Sequence, residues 1–81
     1  MTVRVLLFAL YADLLGQAAV EVGVPAPATV ADVLRELRRR VPGGNRLPDR
    51  PLVALNQVHA RLDSPVGEGD ELAVLPPMAG G

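Results

Sequence analysis

Apolar positions alternate from the start of the chain. Val3, Val5, Leu7 and Ala9 fall on one face of an extended segment, and Arg4, Leu6, Phe8 and Leu10 fall on the other. The pattern predicts a first strand over 3–10. Both of its faces are largely apolar, which places it centrally in a sheet or reserves one face for a partner. Tyr11 to Gly16 reads as a turn, with room for a short helical turn closed by Gly16. Alternation resumes at Val20-Glu21-Val22-Gly23-Val24, a second strand stopped by Pro25 and Pro27.

The period then changes to that of a helix. Thr29-Val30-Ala31-Asp32 has the form of a capping box with Thr29 as N-cap. Val30, Val33, Leu34, Leu37 and Val41 recur on one face, and Asp32, Arg35, Glu36 and Arg39 occupy the opposite side. Glu36 and Arg40 are spaced to pair. Arg38-Arg39-Arg40 complements the negative end of the helix dipole, and Pro42-Gly43-Gly44 ends the helix. The basic triplet reads as a solvated helix end or as a docking patch. Residues 44–50 form a polar loop. Leu52–Leu55 is a third strand, Asn56-Gln57 its turn and Ala60–Leu62 a short returning strand. Residues 63–70 form a loop, and Leu72–Leu75 is a final strand running into Pro76-Pro77. The order β-β-α-β-(β)-β predicts an α+β roll with one main helix covering one face of the sheet.

Composition narrows the function classes. Eighty-one residues, 49% of them hydrophobic, support one core, with a domain over 1–75 and an extended tail over 76–81. A net charge of −1 and only two aromatic residues, Phe8 and Tyr11, give nucleic acid neither an electrostatic nor a stacking platform. The longest uncharged apolar run, Val5 to Ala12, is too short to span a membrane and lacks a basic leader, so the expected location is cytoplasmic. The absence of cysteine removes thiolate metal sites, and no metal site is expected. No base–nucleophile pair is evident, so the chain is expected to be non-catalytic alone, with His59 a surface or interface residue. The acidic stretch Glu68, Asp70 and Glu71 either steers a basic partner or is an ordinary solvated turn.

What remains is the ending, Pro76-Pro77-Met78-Ala79-Gly80-Gly81. The prolines favour an extended course, and two glycines can thread a slot too narrow for side chains. The segment reads either as a carboxylate presented to other proteins or as a glycine-rich terminus without a role.

Several stretches together resemble a known family. They are Val5-Leu6-Leu7-Phe8-Ala9 with Gly16, Thr29-Val30, Leu55-Asn56-Gln57, Asp63, Gly69-Asp70-Glu71 and the terminal Pro-Pro-x-Ala-Gly-Gly. Over essentially its whole length the chain resembles the MoaD-like small subunit of molybdopterin synthase, a ubiquitin-like β-grasp sulfur carrier. It departs from that pattern at Ala12, where arginine is frequent, and at Met78, where valine is usual.

The resemblance implies a ubiquitin-like β-grasp fold, a mixed sheet packed on one main helix. It implies that an E1-like enzyme uses ATP to adenylate the Gly81 carboxylate, which is then converted to a thiocarboxylate. The tail-insertion residues Pro76, Pro77, Met78 and Ala79 then carry the catalytic pair Gly80 and Gly81 into the large subunit of the synthase, in a heterotetramer of two small and two large subunits. There the sulfur passes to a cyclic pyranopterin precursor and builds the molybdopterin dithiolene. No bound cofactor is implied; sulfur is carried covalently at Gly81. In a β-grasp the first and last strands are neighbours, so Leu6, Phe8, Ala73 and Leu75 would form an apolar patch beside the tail, for the partner or beneath the chain's own loops. Related carriers for thiamine or tRNA thiolation, and a ubiquitin-like modifier or interaction domain, are the alternatives. The proline pair favours the molybdopterin branch, and a chain without lysine cannot form lysine-linked chains of itself.

Overall fold

The computed structural model describes residues 1–77; the expectations for Met78, Ala79, Gly80 and Gly81 lie outside the described residues. The elements are β1 (Thr2–Leu7), α1 (Ala9–Leu15), β2 (Ala19–Gly23), β3 (Ala28–Thr29), α2 (Val30–Arg40), a 3₁₀ turn (Gly44–Arg46), β4 (Leu52–Leu55), β5 (Val58–Ala60), β6 (Pro65–Val66) and β7 (Glu71–Leu75). Five strands form a mixed sheet in the order β2-β1-β7-β4-β5. The two central strands, β1 and β7, are parallel, with Leu6 opposite Ala73, and the other pairs are antiparallel. β3 and β6 make a separate two-stranded pair that joins the start of α2 to the loop before β7.

The alternation of β1 explains the core. Val3, Val5 and Leu7 are buried with Leu72 and Val74 of β7 and Val53 of β4, and Val30, Val33, Leu34 and Leu37 of α2 complete the cluster. Helix α2 thus covers one sheet face, and no buried side-chain N or O atom among the described residues lacks a hydrogen-bond partner. The architecture is the expected α+β mixed sheet on one main helix, with a second, short helix added. The hairpin between β4 and β5 turns on Asn56 and Gln57, both at positive φ, as the two-residue loop requires.

The first strand is shorter than the alternation predicts. It ends at Leu7, and Phe8 and Leu10 are not strand residues: Phe8 precedes α1 and Leu10 lies within it. The run Val5 to Ala12 holds no polar punctuation, so the change of period is masked. The spacing that reveals it is Leu7, Tyr11, Leu15, four residues apart and all buried. Gly16, in the left-handed region at φ 70°, closes α1. The returning strand likewise lies at Val58–Ala60 rather than 60–62, and the predicted 63–70 loop contains β6.

The capping box forms as the sequence predicts. The Thr29 amide donates to Asp32 Oδ2 at 2.8 Å, and the Asp32 amide donates back to Thr29 Oγ1 at 3.4 Å. Replacing Thr29 by Ala is expected to cost about 1 kcal/mol, read as a fall in Tm of roughly 4–8 °C for a domain of this size. The Thr29 amide, with Arg35 adding to it, holds the Asp32 carboxyl below the usual carboxylate range, and hydrogen bonds from Arg39 do the same for Glu36. Carboxyls with lowered pKa values in the fold bind protons more weakly than in the unfolded chain. Their contribution is therefore complete above the ordinary carboxylate range and is lost as pH falls toward the lowered values. In urea titrations, Asp32→Asn with Glu36→Gln should flatten the acid side of the stability profile below about pH 4. An unchanged acid slope would show that these groups do not couple to folding.

Candidate functional site

Among the described residues, no helix covers the sheet face away from α2. Alternation places Arg4 and Leu6 of β1, Glu71, Ala73 and Leu75 of β7, and Leu52 and Ala54 of β4 on that face. The registers Leu6↔Ala73, Ala73↔Ala54 and Leu75↔Leu52 make a continuous apolar surface, with His59 at its edge opposite Ala54. Three of the four residues named from sequence, Leu6, Ala73 and Leu75, therefore sit together. Phe8, 44% exposed, follows directly after Leu7, which pairs with Val74. The loss of its strand position moves Phe8 from the sheet face to the lip of the sheet.

Two further residues went unseen in the sequence. Leu52 is 46% exposed although it is a large apolar side chain, and Leu10 is 61% exposed on α1. Leu52 alternates with buried Val53, a visible signal of its outward face. That β4 lies beside β7, and so adds Leu52 to the surface, is a fact of strand order.

The apolar surface ends where the tail begins. β7 runs straight into half-buried Pro76 and exposed Pro77. There a groove of 210 Å³ opens between Tyr11, Pro48, Pro51, Leu52, Leu75 and Pro77, with Arg50 at its side. The positions named for adenylation, thiocarboxylate and insertion, Gly81, Gly80, Ala79 and Met78, lie beyond it, outside the described residues.

The charged candidates take structural duties. Arg38 bridges to Asp49 at 2.5 Å and donates to the Leu47 carbonyl, Arg39 holds Glu36, and Arg40 donates to the Gly23 carbonyl. The pairing of Glu36 with Arg40 expected from the spacing is thus replaced by the i,i+3 pair with Arg39. Arg39 reaches Glu36 while Arg40, on the next step around the helix, faces the β2 edge. In the acidic loop, Glu68 accepts from the Thr2 amide at 2.6 Å and Asp70 from the Gly67 amide at 2.7 Å. Asn56 clasps this loop by donating to Asp70 and accepting from the Glu71 amide. Among the described residues there is no cluster of three metal-ligating side chains and no helix long and apolar enough to cross a membrane.

Comparison with known proteins places this geometry. The model of the ThiS family matches residues 5–81, nearly the whole chain. The chain belongs to the ThiS family. Its curated relatives include a protein of Arabidopsis thaliana named molybdopterin synthase sulfur carrier subunit, 32% identical over 98% of this chain and 82% of the relative. A human protein of the same name is 30% identical over 98% of this chain and 93% of its own length. Among solved structures, SAMP1 from Haloferax volcanii superposes with a TM-score of 0.84 at 34% identity, covering all of both chains. The ubiquitin-like β-grasp fold expected from the resemblance is the fold of this ThiS family member.

Proposed function

We propose that the chain is the sulfur-carrier subunit of a molybdopterin synthase. An E1-like enzyme using ATP adenylates the Gly81 carboxylate; sulfur then displaces the adenylate and leaves a C-terminal thiocarboxylate. The tail enters the large subunit, in an assembly of two small and two large chains, and donates its sulfur to a cyclic pyranopterin precursor. The observation that carries this reading is the continuity of β7 with Pro76-Pro77 at the border of an uncovered apolar sheet face. A partner seated on Leu6, Ala73, Leu75 and Leu52 would receive the tail in its own interior. Two relatives bearing the carrier name over almost this whole chain support the choice of pathway.

The division of labour has a physical basis. In this scheme activation and release belong to partners, and the chain contributes the carrier carboxylate. Gly80 and Gly81 suit a tail that two different enzymes must admit, since neither has a Cβ to obstruct the slot. Intact-mass measurement after co-expression with the activating enzyme should show one oxygen-to-sulfur exchange at Gly81. An unchanged mass with an active enzyme would overturn the carrier reading.

The interface makes its own prediction. Phe8→Arg should weaken binding to the large subunit by about tenfold or more, since it sets a charge at the border of a desolvated apolar contact. Titration calorimetry checks this, and unchanged affinity would remove Phe8 from the contact.

A second reading, a protein modifier, is favoured by the 34% identity to SAMP1, which a second structure of the Haloferax volcanii protein spells out as small archaeal modifier protein 1. Lysine-linked conjugates of this chain with other proteins, stable in denaturing gels and lost on deleting Gly81, would establish that role.

A further inference from the structure

The arginines of this chain differ in their surroundings. Among the described residues, Arg4, Arg35, Arg38, Arg39 and Arg61 each lie within ion-pair distance of a carboxylate. Arg40 donates to a backbone carbonyl. Arg46 and Arg50 are exposed and make neither kind of contact among those residues, and of the two it is Arg50 that lines the groove at the tail root. Its place is distinctive, because two grooves meet at it. On one side lies the apolar groove at the tail root, walled by Leu52, Leu75 and Pro77. On the other lies a shallower one of 320 Å³ bounded by Arg61, Leu62 and Asp63.

We propose that the two grooves form one channel, which docks an extended acidic segment of the protein that handles the tail. An apolar side chain of that segment seats between Leu52, Leu75 and Pro77, and a carboxylate beyond it meets Arg50. The proposal rests on the carrier reading for the identity of the partner, and on the channel's chemistry for everything else. Charge selects the occupant: Asp63 holds Arg61 through contacts of 3.3 Å from both Nε and Nη2, so the cation open to an incoming carboxylate is Arg50. Its guanidinium presents a planar fork that matches a carboxylate bidentately.

Position selects the partner. Leu52 and Leu75, paired across β4 and β7, belong both to the channel and to the apolar sheet face. A protein that covers that face as far as Pro77 meets the channel, because Leu52, Leu75 and Pro77 line it. An exposed ion pair adds little affinity but accelerates association and fixes register. The channel therefore acts mainly in capture.

The test is a titration of capped Leu-Glu-Glu and Leu-Gln-Gln peptides into the isotope-labelled full chain, read by amide and arginine side-chain shifts. The glutamate peptide should perturb Arg50, Leu52 and Leu75, more strongly than the glutamine peptide and less so as salt rises. Arg50→Glu should abolish the preference and transfer it to a Leu-Lys-Lys peptide. In stopped-flow mixing with the partner, the same variant should slow association by about tenfold at low salt. Equal response to both peptides, shifts that map elsewhere, or none at millimolar peptide overturn the proposal. The peptide arm needs no sulfur loading. A chain that binds the acidic peptide but never gains sulfur refutes the carrier reading alone, and the reverse result refutes the channel alone.

Discussion

Adding a single residue after Gly81 should abolish sulfur loading completely while leaving the fold and partner binding intact. The proposed adenylation needs a free carboxylate that can enter a passage narrow enough to exclude side chains. An added residue both removes the Gly81 carboxylate and places a Cβ in the passage. Because β7 ends at Leu75 and the core residues among the described residues all precede Pro76, the added residue is expected to leave the cluster that stabilises the sheet intact. Thermal melts of the extended and native chains should therefore coincide. Intact mass should show the oxygen-to-sulfur exchange only in the native chain. Loading of the extended form at the native rate would refute the terminal-carboxylate mechanism, and a lowered Tm would show that the tail is part of the fold.

The second large effect concerns the other Gly-Gly pair, Gly43-Gly44, which by sequence is merely a helix stop. In the structure it is where the ends of the two helices meet. Gly43 sits at φ 85°, and a Cβ there would lie 2.5 Å from the Leu14 carbonyl oxygen of α1. A Cβ on Gly44 would overlap the Leu37 carbonyl oxygen and lie 3.0 Å from Arg38 Cα, both backbone atoms of α2. Backbone cannot yield as a flexible side chain does. Gly44→Ala should therefore destabilise the protein by about 1–3 kcal/mol, the range for overpacked interiors. The matching fall in Tm is roughly 4–8 °C per kcal/mol. Gly69 is the control: its φ of 80° is strained for alanine, but a Cβ there meets nothing within 4 Å. Denaturant melts should find Gly44→Ala the more damaging, and equal midpoints would show that the helix ends part at little cost. The two glycine pairs thus divide the work, one closing the core and the other proposed to carry sulfur.

Helix α2 was legible almost to the residue because its capping box and its apolar stripe agree, two independent local signals for one element. Strands β2, β4 and β7 and the Asn56-Gln57 turn were legible from alternation and turn chemistry, whereas β5 lies two residues before its expected place. The boundary at Phe8 was not. An uninterrupted apolar run is compatible with either period, and which one prevails depends on Tyr11 and Leu15 finding the core. The two-residue pair of β3 and β6 was invisible, since so short a strand has no period and exists only because distant segments meet. Leu6, Ala73 and Leu75 could be named because alternation tells which side chains share a face. Leu52 and Arg50 could not be joined to them without knowing that β4 lies beside β7.

The sequence by itself determined which faces of the strands and of the main helix are apolar, and where that helix begins. These follow from local periodicity, capping chemistry and residue type, which need no knowledge of the rest of the chain. The neighbouring of the first and last strands, with an apolar patch beside the tail, was expected from the family resemblance. Only the tertiary structure decided their register, Leu6 opposite Ala73, and that β4 adds Leu52 to that face. It also decided that Arg50 stands where two grooves meet. Those are contacts between residues far apart in sequence, set by how one core packs, and no local pattern encodes them.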